Sequence, residues 1–84
     1  KFRACQDEVD AEIVERLLQA DDGGVLPSTI ARDLSKYRLR RWDVKRRIQR
    51  MNKRLRKELG KPVAEKRGYR WALSSFMRNV WEGI

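Results

Sequence analysis

Between Asp7 and Ala20 the apolar residues Val9, Ile13 and Leu17, widened by Val14 and Leu18, return at helical spacing, and Glu12 stands four positions ahead of Arg16. The pattern predicts a first amphipathic helix, capped by Asp7, with acids in its first turn that suit the helix dipole. Asp21-Asp22-Gly23-Gly24 ends it. Val25 and Leu26 follow as a short strand. A second helix begins either with Pro27 as its first helical residue or with Ser28 as its cap, and Ile30, Leu34 and Tyr37 on one face end it near Tyr37 or Arg38. The third helix is the longest. It starts between Arg40 and Asp43, and Val44, Ile48, Met51 and Leu55 set its inward stripe, continued by Leu59 until Gly60 and Pro62 stop it.

Beyond Pro62 the period falls to two. The segment VAEKRGYRWAL reads as two short strands around Arg67-Gly68, with Tyr69, Trp71 and Leu73 on one face of the second. Ser74 or Ser75 caps a last short helix, in which Phe76 pairs with Val80 and Met77 with Trp81 at i and i+4. With 84 residues the whole chain is one small α+β domain, its core spanning residues 7 to 73 and its final helix residues 75 to 82.

Charge changes what the third helix is expected to do. Ten of the twenty residues from Arg40 to Leu59 are Lys or Arg, so one face belongs to the core and the rest suits a polyanion. The net charge is +9, yet residues 1 to 35 hold four basic and eight acidic groups and the remainder seventeen and four. A basic surface of this kind collects nucleic acid by counterion release, and the acidic part keeps the opposite side off the phosphates.

The inventory narrows the chemistry. Without histidine, a zinc finger or a His-based catalytic base is excluded, and Cys5, the single cysteine, forms no internal disulfide. Gly60-Lys61 lacks the rest of a phosphate loop, and the scattered carboxylates, mainly on the exposed side of the first helix, offer no acid and base pair. Tyr37 is accounted for by the core face it shares with Ile30 and Leu34. No enzyme, metal or cofactor is therefore expected. A basic helix and three Trp residues raise a membrane surface as partner, but Trp42 and Trp71 lie off the apolar stripe of that helix. No apolar run reaches the roughly 18 residues needed to span a bilayer. The lone cysteine and the lack of a signal-peptide pattern point to an intracellular compartment, cytoplasm, nucleoid or nucleus. Lys1 in place of Met is read as the mark of a fragment or processed piece.

Taken in order, LPSTIARDL from Leu26 to Leu34 looks like the first helix of a helix-turn-helix, with Ala31 where a small residue lets two helices approach. Val44, Ile48 and Met51 match the core spacing of a recognition helix. Lys66 to Trp71, through Leu73, is similar to the wing hairpin of response-regulator effector domains, whose second wing strand follows an Arg-Gly-aromatic turn. The chain thus resembles the winged helix-turn-helix superfamily of DNA-binding domains over roughly Val9 to Leu73. It departs from the common pattern in that SKYRLRRWD makes the interval from Ala31 to Val44 about three residues longer. It also lacks room for the N-terminal sheet of response-regulator effectors, so the likeness is to the superfamily and not to that branch.

The resemblance implies double-stranded DNA as partner, with the third helix in the major groove and the wing on an adjacent minor groove or backbone. The parent would be a transcription regulator or a replication or recombination protein. Placing the apolar stripe inward at about 100° per residue turns Arg46, Gln49, Arg50 and Lys53 outward, with Arg41 and Lys45 on the flank. Arg and Gln can bond to the base edges of guanine and adenine. Arg54, Arg56 and Lys57, farther along, are expected to meet phosphate or water. Lys66, Arg67 and Arg70 are the wing candidates. Trp42, almost opposite the core stripe, is expected to pack on the second helix rather than on sugar and base. Phe76, Val80 and Trp81 are expected to cover the first helix, with a homodimer contact through that helix as the alternative. Structured RNA or an acidic protein are the alternative partners.

Overall fold

Apolar stripes turned inward hold the helices, and a local polar side chain closes the start of all but the second, which opens on a proline. The computed structural model describes residues 4 to 82, with side chains as far as Val80. The expected Met77 and Trp81 pairing therefore lies outside the described residues. Helix α1 spans Glu8–Gln19, and the Asp7 side chain accepts a hydrogen bond from the Asp10 N–H at 3.1 Å, satisfying one of the helix's free donors. Ile13, Val14 and Leu17 are fully buried. After α1 the Asp21 carboxylate accepts from the Gly23 N–H at 2.9 Å, and Gly24 takes a left-handed φ of 83°.

Helix α2 spans Pro27–Asp33, with Leu26 as the cap and Pro27 as its first residue, which decides between the two starts open in the sequence. Its end differs from expectation. The α-helix stops at Asp33, a 3-10 turn covers Ser35–Tyr37, and Arg38 adopts a left-handed φ of 55°. Tyr37 consequently sits on the 3-10 turn and not on α2, yet it still packs against the core to which Ile30 and Leu34 belong. It is half-buried, and its hydroxyl donates to the Glu12 carboxylate on α1.

Helix α3 spans Arg41–Leu59, nineteen residues and therefore about 28 Å long. Asp43 closes its start by accepting from the Arg40 N–H at 2.9 Å, and Gly60 at φ 73° ends it. Val44, Ile48, Met51 and Leu55 are at most 2% exposed, so the inward register matches the expected one. Leu59 does not continue it. It is 54% exposed, because the last turn of α3 runs beyond the elements that cover the rest.

Strands β1 (Ala64–Arg67) and β2 (Arg70–Leu73) form an antiparallel hairpin in which Lys66 faces Trp71 and Arg67 faces Arg70. The two-residue turn is Gly68-Tyr69, with Gly68 at φ 64° in the first position that such hairpins reserve for glycine. Tyr69 is thereby moved off the strand into the turn, 87% exposed, and does not share the inner face of Trp71 and Leu73. On the other side of β2, Val25 exchanges two backbone hydrogen bonds with Trp71, at 2.8 and 2.9 Å. The expected short strand is thus a single bridge.

Asn52 joins the hairpin to α3. Its carbonyl oxygen accepts from the N–H groups of Val63 and Ala64 at 2.8 and 2.9 Å, and its amide donates to the Ala64 carbonyl at 3.0 Å. Helix α4 (Ser75–Glu82) is capped by the Ser74 hydroxyl, which accepts from the Met77 N–H at 3.1 Å. It buries Met77 fully and leans Phe76 on the core. Among the described residues no helix is long and apolar enough to cross a membrane.

Candidate nucleic-acid interface

Because the stripe from Val44 to Leu55 is held in the core, the opposite side of α3 has to face outward. Arg46, Gln49, Arg50 and Lys53 are all exposed there, at successive i, i+3, i+4 and i+7 positions. They span about 10 Å of helix, comparable with the roughly 12 Å width of a B-DNA major groove. Arg can reach two acceptors on guanine at once, and the Gln49 amide offers the donor and acceptor pair that matches adenine.

The first turn of α3 meets the hairpin across a groove of about 550 Å³. Arg41, Trp42 and Lys45 contribute from α3, Lys66 from β1 and Tyr69 from the hairpin turn, with Pro27 at the start of α2 alongside. Trp42 is 48% exposed here, beside Pro27 and Ser28 of α2, so part of its ring stays open to the groove. The guanidinium carbons of Arg40 and Arg41 lie 5.7 and 5.8 Å from its ring centroid, within the range of cation–π attraction.

The hairpin divides the wing candidates. Lys66 and its cross-strand neighbour Trp71 project to the α3 side, so Lys66 joins Arg41 and Lys45 in the groove. Residues adjacent on a strand point to opposite faces, and Arg67 and Arg70 therefore lie on the far side of the wing. Arg67 bonds Glu65 at 3.4 Å and borders a separate recess of about 480 Å³ with Arg78 and Asp22.

Two of the α3 cations are turned to the protein itself. Arg47 bonds Asp7 and Asp10 at 3.0 Å, and Arg54 bonds the Ala4 carbonyl at 3.0 Å and the Gln6 side chain at 2.8 Å. Arg54, expected to meet phosphate or water, is thus bonded to the protein through both guanidinium nitrogens while its side chain stays 35% exposed. Asp10, only 2% exposed, also accepts from the Gln6 N–H at 2.9 Å and lies 3.7 Å from Arg54. Burial by itself would lower the Arg47 pKa, but Asp10 and Asp7 together raise it above the ordinary arginine value. The Asp7 carboxyl is lowered by the hydrogen bond from the Asp10 N–H, and next by Arg47. Burial, with Asp10 and Asp7 adding to it, pushes the Cys5 thiol up to about 11, so it is protonated and a weak nucleophile at neutral pH.

On the α1 side, the hydrogen bond to Glu12 lifts the Tyr37 phenol to about 12 and holds the Glu12 carboxyl below its usual value. That pairing ties the 3-10 turn to α1. Among the described residues no group of three or more His, Cys, Asp or Glu is placed to hold a metal ion.

Sequence reasoning missed Asp10 and Asn52, although both carry a readable signal. Asp10 lies three, four and seven positions ahead of Ile13, Val14 and Leu17, and Asn52 stands four after Ile48 and three before Leu55. A polar residue in core phase marks a side chain with partners to satisfy. Comparison of the chain with protein-family models, curated proteins and solved structures finds no match.

Proposed function

We propose that the chain is a winged-helix domain that binds double-stranded DNA, with α3 in the major groove and the hairpin beside it as the wing. The observation that carries this reading is the exposed stripe of Arg46, Gln49, Arg50 and Lys53 on a helix whose opposite stripe is locked into the core. Lys66 on the neighbouring hairpin extends the positive surface, and Val25 beside β2 stands where a winged helix has its third short strand. The order of elements supports the same fold. A rigidly seated helix with outward donors binds phosphate for affinity and base edges for selection.

The test is binding to duplex DNA followed by fluorescence anisotropy across a salt series. Tight binding that weakens steeply with salt is expected. Arg46→Ala and Arg50→Ala should each cost about 1 to 3 kcal/mol of affinity and relax base selection. Full affinity after both changes overturns the docking of α3, and a preference for structured RNA over duplex DNA moves the reading to an RNA-binding domain.

A further inference from the structure

Among the described residues three large apolar or aromatic side chains are exposed, Trp42, Leu59 and Tyr69, and two of them line one groove. That groove also gathers three cations from two separate elements, Arg41 and Lys45 from α3 and Lys66 from β1. Exposure of an indole and a phenol loses the stabilisation that burial would give, and the fold contains a core that already takes Trp71. Cations alone would serve a phosphate backbone, and aromatics alone would serve an apolar partner. Their combination fits a ligand that carries flat π faces on an anionic chain.

In an intact duplex the faces of the bases are stacked on one another and closed to a side chain. They open only at an end, at a junction or at an unpaired nucleotide. We infer that the groove between the start of α3 and the hairpin takes an unpaired base of nucleic acid next to a duplex, stacking it on Trp42 or Tyr69 while Arg41, Lys45 and Lys66 hold the flanking phosphates. The inference rests on duplex binding by α3 and adds to it the kind of site that is preferred. Stacking on an aromatic tolerates any base, so the preference is for structure and not for sequence. The guanidinium carbons of Arg40 and Arg41 lie 5.7 and 5.8 Å from the Trp42 ring centroid, so positive charge stands directly beside the stacking surface.

The test compares three probes with the full chain: a blunt duplex, the same duplex with a single-stranded overhang, and heparin, a polyanion without bases. A 2-aminopurine at the first unpaired position reports stacking by loss of its fluorescence. The overhang duplex is expected to bind on the order of tenfold more tightly than the blunt one, with the probe quenched. Tyr69→Ala and Trp42→Ala should each remove most of that gain and of the quenching, and Trp42→Phe should retain much of both. Tyr69 is nearly free of the fold, so its variant remains informative if Trp42→Ala lowers stability. Equal binding of blunt and overhang duplexes overturns the inference and leaves the duplex reading intact. Tight binding of the overhang with no measurable affinity for the blunt duplex supports the groove and overturns the duplex reading. Loss of heparin binding equal to the loss of overhang binding in the Trp42 and Tyr69 variants shows a groove that senses charge alone, and overturns it. Failure to bind all three overturns both.

Discussion

Removing the Asn52 side chain would strip two buried N–H groups, those of Val63 and Ala64, and one carbonyl of their partner at once. Unpaired buried donors cost about 1 to 3 kcal/mol each, so Asn52→Ala should lose about 3 kcal/mol of stability in a urea titration. Asn52→Asp would restore the acceptor but not the donor to Ala64, and should recover part of the loss. Asp10 poses the mirrored case. Asp10→Ala leaves Arg47 one-quarter exposed and bonded to Asp7 alone, with a cost of about 2 to 4 kcal/mol expected from the same titration. Neither role was read from the chain beforehand, because hydropathy periodicity scores a polar residue as an interruption. The partners that make burial tolerable come from residues 37 and 12 positions away.

At the level of elements, what was legible depended on whether local pattern or tertiary contact decided the outcome. The register of α3 from Val44 to Leu55 and the Asp7 cap follow from spacing and cap residues and formed as read, and the hairpin formed with its turn one residue later than expected, at Gly68-Tyr69, which takes Tyr69 off the inner face. The end of α2 did not form as read, because the left-handed Arg38 and the Tyr37 bond to Glu12 draw the chain away toward α1. Trp42 and Tyr69 were assigned to packing on the general tendency of large aromatics, which says nothing about how much of the ring a neighbour covers. Lys66 was separated from Arg67 and Arg70 only by strand pairing, a relation between residues that sequence order leaves implicit. The bridge from Val25 to Trp71 makes its own demand. A Cβ on Gly24 would come within 2.6 Å of the Trp71 carbonyl oxygen, and its φ of 83° is strained for any other residue. Gly24→Ala should therefore part the bridge and cost about 2 kcal/mol or more, with faster amide exchange at Val25 and Trp71 as the specific sign.

For the whole molecule, acid and alkaline stability are set by different bonds between elements. Asp7 and Glu12 have folded values below the ordinary 3.8 and 4.5, so what they contribute is complete above those values and is lost as pH falls through the lowered ones. The Asp7 side chain is 47% exposed and that of Glu12 28%, so solvent screens both and the loss should be modest. Tyr37 is raised from 10.0 to about 12 and Cys5 from 9.0 to about 11, so their contributions are complete below the ordinary values and vanish as pH climbs through the raised ones. A melting temperature that is flat between about pH 6 and 8, with a decline on either side, is expected. Tyr37→Phe should blunt the alkaline decline, and Asp7→Asn the acid one, in scanning calorimetry.

Strand β2 has a neighbour on each side, β1 and the single residue Val25, and among the described residues β1 has β2 alone. The outer margin of β1 carries Glu65, Lys66 and Arg67, all exposed. An unpaired row of N–H and C=O groups is a template on which strands of other molecules can add, and charged side chains along it oppose such growth. Asn52 already holds the Ala64 N–H and C=O on that margin, so the part left open is the charged part beyond Ala64, where the side chains oppose edge-to-edge addition of further copies. A polyanion that neutralises Lys66 would remove part of that protection, so crowded, charge-compensated protein would be the state most exposed to sheet-mediated aggregation.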